Sequence, residues 1–246
     1  MRLRVIGSSG TFPSPTNPAS GYIIENGSTR VWCDAGPGTF MNLPVDDRTI
    51  DAIFLSHRHP DHCADIFAAY HAWTFCPKPR TGIPLYAHAD VIRHLGAFLG
   101  STPDDAFYTT FEMIELEDGG LASIGDLELS VVEMNHSVPD LGSLWNGSGR
   151  TLFFTGDTGP GDWSVAVEGV DLFLCEAALV GEREKDHFSG HLNGAEAGKI
   201  ARDAGVGELV LTHIPPYLDK SVVVAEAEAT FGRAVRLAVP GTDIKV

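Results

Sequence analysis

The chain has 246 residues, 43% hydrophobic and 20% charged, with a formal net charge of −16. This length and balance fit a single globular domain over residues 1–246, and no run approaches the ~20 apolar residues of a membrane span. So acidic a surface repels polyanions, which disfavours a large RNA or DNA substrate and leaves small anionic substrates compatible. The basic clusters are few: Lys78 with Arg80, and Arg58 alone. Four scattered cysteines (Cys33, Cys63, Cys76, Cys175) form no C-x-x-C pair. They fit a reduced, cytoplasmic protein.

Arg2–Ile6 alternates as a first strand rather than a signal peptide. Gly7-Ser8-Ser9-Gly10-Thr11 follows, either a loop bringing backbone N–H groups toward an anion or metal, or a plain connection. Tyr22–Glu25 and Thr29–Asp34 read as strands of a hairpin turned at Asn26-Gly27. Asp34 reads equally as support for a later histidine or as a turn-forming residue. A short helix is expected around Thr39–Leu43.

Ile50–Leu55 is a buried-type strand running directly into Ser56-His57-Arg58-His59-Pro60-Asp61-His62. Neutral imidazoles and carboxylates are the usual ligands of zinc and similar divalent ions. In extended backbone His57 and His59 leave on one face. Asp61 and His62 follow a proline that bends the path, so the stretch can feed two neighbouring ions. Cys63 is adjacent but reads better as a small buried residue. A helix is expected from Asp61 through Phe75, with His71 on its exposed side, then a strand Leu85–His88 and a helix Val91–Leu99 stopped by Gly100. His88 and His94 read as structural histidines. Thr102–Thr110 reads as an irregular loop whose Phe107 and Tyr108 border a substrate or merely connect.

The second half opens with β-type runs at Phe111–Glu115, Leu121–Ile124 and Leu127–Met134, the last ending at His136. Leu144-Trp145 and Thr151–Thr155 pair next, and Gly156-Asp157-Thr158-Gly159 caps the second of them. A short helix is expected at Ser164–Val167. Asp171–Cys175 is a buried strand ending at Glu176, and Gly181–Gly190 is polar and irregular, leading to His191. A helix follows at Asn193–Ala204, with Asn193 as N-cap. Leu209–Leu211 is a strand capped by Thr212-His213. The chain closes with a helix at Val222–Phe231 and a last strand at Val235–Val239.

Five predicted strand ends thus carry a ligand-type or acid/base residue: the histidine loop, His136, Asp157, Glu176 and His213. Seven oxygen and nitrogen ligands suffice for two ions, which dinuclear sites hold ~3.5–4 Å apart around a hydroxide nucleophile. Asp157 is the natural bridging carboxylate.

His57-Arg58-His59-Pro60-Asp61-His62 matches the H-x-H-x-D-H signature, and His136, Asp157 in Gly-Asp-Thr and His213 in Leu-Thr-His follow in the matching order. Over nearly its whole length the chain resembles the metallo-β-lactamase superfamily. The resemblance implies an α/β fold, an αββα four-layer sandwich. It implies one metal on His57, His59, His136 and Asp157, and a second on Asp61, His62, Asp157 and His213. The two divalent ions are expected to be zinc, with manganese or iron as alternatives. Gly7-Ser8-Ser9-Gly10, Ala19-Ser20-Gly21-Tyr22, Cys175-Glu176-Ala177 and His191 before Gly194-Ala195-Glu196-Ala197 resemble the ribonuclease Z-like phosphodiesterase branch. That branch implies a Glu176–His191 dyad near the leaving group, with Asp61, Glu176 and His191 as catalytic groups, and a homodimer. The long tRNA-gripping arm of ribonuclease Z is missing between His136 and Asp157. The shorter layout, with Thr212-His213-Ile214-Pro215-Pro216, resembles actinobacterial cyclic-nucleotide phosphodiesterases. The expected reaction is hydrolysis of a small phosphodiester such as a 3′,5′-cyclic nucleotide by a metal-bridging hydroxide. The alternatives are a ribonuclease Z-like tRNA 3′ endonuclease and a non-phosphate hydrolase such as a lactonase or thioesterase.

Overall fold

A computed structural model of the protein describes residues 1–43, 50–102, 105–182 and 190–246. Most of the expected irregular segment Gly181–Gly190 lies outside the described residues. The first half contributes β1 (Arg2–Gly7), β2 (Gly21–Asn26), β3 (Thr29–Cys33), β4 (Ala52–Leu55), β5 (Ile83–His88) and β6 (Phe111–Leu116). Its helices are α1 (Pro60–Cys63), α2 (Asp65–Phe75), α3 (Ala89–Leu99) and α4 (Ala106–Thr110). The second half contributes β7 (Leu121–Ile124), β8 (Leu127–Glu133), β9 (Leu141–Gly147), β10 (Arg150–Phe154), β11 (Leu172–Glu176) and β12 (Glu208–Thr212), with helices α5 (Gly194–Asp203) and α6 (Lys220–Phe231). Two short strands, β13 (Arg236–Leu237) and β14 (Asp243–Lys245), complete it.

The strands form two seven-stranded sheets, β14-β1-β2-β3-β4-β5-β6 and β13-β12-β11-β10-β9-β8-β7. In each, strands antiparallel at one side become parallel at the other, from β3 to β6 in the first sheet and from β10 to β13 in the second.

Side-chain alternation sets the layers. Ala52 and Phe54 of β4 pack in the core between the sheets, against residues such as Trp145 and Phe154, while Ile53 and Leu55 face the helices. On β11, Leu172 and Leu174 take the inner side, and Phe173 and Cys175 face α5 and α6. Both faces of these strands are buried, so their sequences read as continuous apolar runs rather than as alternation. The result is the αββα sandwich: helices, sheet, sheet, helices.

Three expectations need correction. The helix expected from Asp61 through Phe75 is two, α1 and α2, because the Asp65 N–H bonds to the Ala35 carbonyl at 2.8 Å instead of continuing the helix. The segment around Phe107 and Tyr108 is helix α4 rather than a loop. Phe107 is fully buried against Tyr70 and Phe111, so it anchors the core and borders no substrate. The last strand is not Val235–Val239. Only Arg236–Leu237 pairs with β12, and β14 pairs with β1 at the far edge, where Arg4 meets Asp243 at 2.5 Å.

Candidate metal centre

The parallel strands β4, β11 and β12 deliver their C-terminal ends to one place, the usual location of function in α/β sheets. His57 follows β4 after Ser56, His62 lies on α1, Glu176 ends β11, and His213 follows β12. Asp157 enters behind β10 and His136 behind β8.

Three of the imidazoles are each oriented by a partner on the far side. His62 Nδ1 lies 2.6 Å from Asp34 Oδ2, and Asp34 also accepts from the Ser56 amide at 2.9 Å. Asp34 sits in the left-handed region, φ 58°, so its aspartate side chain is turned back under the loop. His57 Nδ1 lies 2.7 Å from Asp140 Oδ2, which also accepts the Asp157 N–H at 3.0 Å. His136 Nδ1 donates to the Gly190 carbonyl at 2.9 Å. With their Nδ1 protons so committed, His57 and His136 present Nε2 as a lone pair, the arrangement typical of metal-ligating histidines, and His62 would do the same once a cation displaced its second proton. Gly36 lets α1 close over the loop, since a Cβ there would meet the Asp61 carbonyl oxygen at 2.0 Å.

The inward atoms converge. His57 Nε2 is 3.0 Å from His59 Nδ1, and His136 Nε2 is 3.1 Å from that same atom. His62 Nε2 is 3.1 Å from His213 Nε2, which lies 3.2 Å from Asp61 Oδ2. Asp157 serves both clusters. Its Oδ2 is 3.7 Å from His57 Nε2, and its Oδ1 is 3.3 Å from both His62 Nε2 and His213 Nδ1. Ligand atoms of His57, His59, His136 and Asp157 all lie within 4.8 Å of one another, as do those of Asp61, His62 and His213.

The electrostatics fit a cation. Burial, then repulsion from His62, holds His57 well below its ordinary value, and burial lowers His59 and His136. Burial disfavours a charged His62 too, yet the charges of Asp157, Asp34 and Asp61 outweigh it and hold the imidazole well above its ordinary value. Against the cost of its own burial, His213 and His62 keep Asp157 well below the carboxylate range. A cluster of lone pairs and carboxylates in a dry pocket needs positive charge. Asp157 Oδ1 and His213 Nδ1 are buried without a hydrogen-bond partner, and a divalent ion satisfies both. The donor set is nitrogen and oxygen alone. Cys63 is turned away, its Sγ donating to the Arg58 carbonyl at 3.3 Å, and burial pushes its thiol up to about 12.

Glu176 and His191 stand beside this cluster. Glu176 is fully buried; its Oε1 takes the Thr158 N–H at 2.9 Å and His191 Nδ1 at 2.8 Å, and its Oε2 takes the Ala178 N–H at 3.0 Å. The His191 ring lies over that of His213, centroids 5.8 Å apart, and groups with Asp157 and His213 within 4.8 Å. Burial pulls His191 down, but the Glu176 charge and hydrogen bond lift it to about 9.

All the residues singled out at strand ends therefore meet in one cluster. His88 and His94 do not: His88 caps α3 by accepting the Asp90 N–H at 3.1 Å, and His94 contacts the Asp90 carbonyl at 2.6 Å. Arg58 pairs with Asp90 at 2.7 Å, and Arg80 lies over Trp73, so neither basic candidate faces the centre. Asp140 was missed. The only signal for it was an aspartate, after Pro139, immediately before an apolar run. The glycine-rich loop reaches the centre directly, with Thr11 N 3.4 Å from His213 Nε2.

Two facing sheets with a His/Asp cluster at their strand ends define a metallo-hydrolase. Residues 29–214 match the beta-lactamase superfamily domain, and the chain belongs to that superfamily. An uncharacterized protein of Mycobacterium tuberculosis is 34% identical over 248 residues, covering 97% of this chain and 90% of that one. The probable metallo-hydrolase YhfI of Bacillus subtilis is 28% identical, with 98% of each covered. Its crystal structure, described as a metallo-beta-lactamase fold protein, superposes with a TM-score of 0.87 over 99% of this chain and 98% of that one. Ribonuclease Z of Methanopyrus kandleri is 26% identical over 270 residues, covering 93% and 92%.

Proposed function

We propose that the protein is a dinuclear metal-dependent phosphodiesterase acting on a small phosphodiester such as a 3′,5′-cyclic nucleotide. The observation that carries this is the Glu176–His191 pair, 2.8 Å long and set against Asp157 and His213. An imidazole held by a buried carboxylate can protonate a departing alkoxide or bind a phosphate oxygen, the two tasks that phosphodiester cleavage sets beside the ions.

His57, His59, His136 and Asp157 would hold one divalent ion, and Asp61, His62, His213 and Asp157 the other. Zinc suits these donors, with manganese or iron as alternatives. When bound, the ions supply Lewis acidity toward the phosphate and make water nucleophilic near neutral pH. Asp157 offers one oxygen to each group, and Asp34 and Asp140 lock the ligand rings. Asp61 lies at the mouth of the second group and accepts the proton of the attacking water. His191, its Nδ1–H held by Glu176, presents Nε2 to the departing oxygen and protonates it.

Two features support a small substrate. The net charge is −16, and residues 141–154 between His136 and Asp157 are fully occupied by β9, a turn and β10. The similarity to ribonuclease Z keeps precursor tRNA in the test panel. Protein loaded with zinc or manganese should hydrolyse 3′,5′-cyclic nucleotides and bis(p-nitrophenyl) phosphate, and should leave precursor tRNA and lactones intact. Absence of any phosphodiester cleavage ends the proposal. Rapid tRNA 3′ processing replaces it with the endonuclease.

A further inference from the structure

We infer that Phe12 and Tyr217 form an aromatic shelf at the rim of the metal centre that stacks the heteroaromatic base of a nucleotide substrate, a role that presupposes the phosphodiesterase chemistry proposed above. Phe12 is 46% and Tyr217 70% exposed, and their rings lie in offset stacking, centroids 6.3 Å apart and planes 25° from parallel. Exposed apolar side chains scattered singly need no explanation. These two are paired, and their backbones are tied to each other and to a ligand of the centre.

The tie is short. Gly10 N–H bonds to the Ile214 carbonyl at 3.3 Å, and Ser9 bridges Ile214 in parallel register. Ser9 Oγ holds the Phe12 carbonyl at 2.7 Å, and the Leu218 N–H closes a turn onto Pro215 at 3.0 Å, fixing Tyr217 between them. Only glycine fits at position 10, where a Cβ would meet the His213 carbonyl oxygen at 2.2 Å. Thr11 N lies 3.4 Å from His213 Nε2, which by covalent geometry puts the Phe12 Cα within about 9 Å of that imidazole nitrogen. Thr11 and His213 are two of only four non-glycine residues at positive φ among those described, at 64° and 53°. Backbone strain of this kind persists where the surroundings hold it, typically at ligand clamps. Here the same pair of short segments carries His213 and two exposed, near-parallel rings.

The Phe12 Cα is thus within reach of a nucleoside whose phosphate sits at the centre. The occupant is therefore a planar base rather than an acyl chain, because two near-parallel rings present a face and no groove. Every base has a π-face, so stacking is tolerant of base identity. Loss of one stacking partner should cost about five- to hundredfold.

The test compares 3′,5′-cyclic AMP with the 3′,5′-cyclic phosphate of methyl riboside, which lacks a base, on the metal-loaded protein. Wild type should prefer the nucleotide in kcat/KM. That preference should shrink five- to hundredfold in Tyr217→Ala and in Phe12→Ala through KM rather than kcat, and Tyr217→Phe should restore it. Binding of AMP by equilibrium dialysis is the independent arm and should weaken by the same factor in Tyr217→Ala. An unchanged preference, or a loss in kcat alone, overturns the shelf. If wild type cleaves neither phosphodiester, the proposed reaction fails and the dialysis arm decides the shelf by itself. AMP affinity that is absent in wild type, or equal in Tyr217→Ala, refutes it.

Discussion

Asp140 offers the sharpest test of how this centre is held together. Its Oδ2 accepts from two buried groups, His57 Nδ1 at 2.7 Å and the Asp157 backbone N–H at 3.0 Å, while Oδ1 is buried without a partner. Burial and the nearby Asp157 charge push the Asp140 carboxyl well above its usual range, and burial holds His57 low. Beside a bound dication that logic inverts, and an ionised carboxylate on a ligand imidazole becomes favourable. Asp140→Asn can keep an oxygen at the Oδ2 position and turn its amide toward the partnerless side, so it preserves shape and removes charge. The difference between a charged and a neutral hydrogen bond is about 1–1.5 kcal/mol, or roughly tenfold in metal affinity. Asp140→Ala loses both bonds and leaves two buried donors unpaired, so it should cost about 3 kcal/mol, or roughly a hundredfold or more. Competition of zinc between the protein and a chromophoric chelator measures both. Wild-type affinity in the two variants, or a greater loss in Asp140→Asn than in Asp140→Ala, refutes the orienting role.

Other outcomes follow from the same geometry. His59→Ala or Asp157→Ala should lose bound metal, measured by mass spectrometry of the dialysed protein, together with activity. His191→Ala should keep its metal while kcat for phosphodiester cleavage falls about 10²–10⁴-fold. Metal loss in that variant would make His191 a ligand instead. Ellman's reagent should find about one reactive thiol, Cys76, in native protein and four in denatured protein. The other three are buried, and burial raises their thiols above the ordinary value. Tyr22 is fully buried with its hydroxyl hydrogen-bonded to Thr212, and burial raises its phenol above the ordinary value. The unfolded chain therefore releases this proton first, so stability should fall as pH rises above about 10. Tyr22→Phe should lose about 1 kcal/mol at neutral pH and show a flatter decline in alkaline denaturation.

The candidate ligands were legible because most are unusual residues at the ends of plainly apolar strands, and the resemblance to the superfamily's motif order gathered them. Asp34 was half legible: an aspartate after a strand reads equally as a turn, and only the 2.6 Å approach of His62 decides between them. Asp140 was illegible because its partners, His57 and the Asp157 amide, are distant in sequence, and a lone aspartate carries no periodic signal. The break between α1 and α2 has the same cause, since a carbonyl from Ala35 competes with helix propensity. Helix α4 and strand β14 are too short for any periodicity to register. Their existence is decided by what they cover: Phe107 fills the core, and Ile244 of β14 is fully buried.

The division of the candidate ligands between the two sheets has a mechanical consequence. Each group of ligands draws from both halves of the chain, His57 and His59 with His136, Asp61 and His62 with His213, and Asp157 in reach of both. A cation held by either group would be a rivet through the seam between the sheets, and any state in which the sheets part would have to release it. By mass action, free metal would then set how firmly the halves are clamped, and a chelator should loosen the whole sandwich rather than one loop.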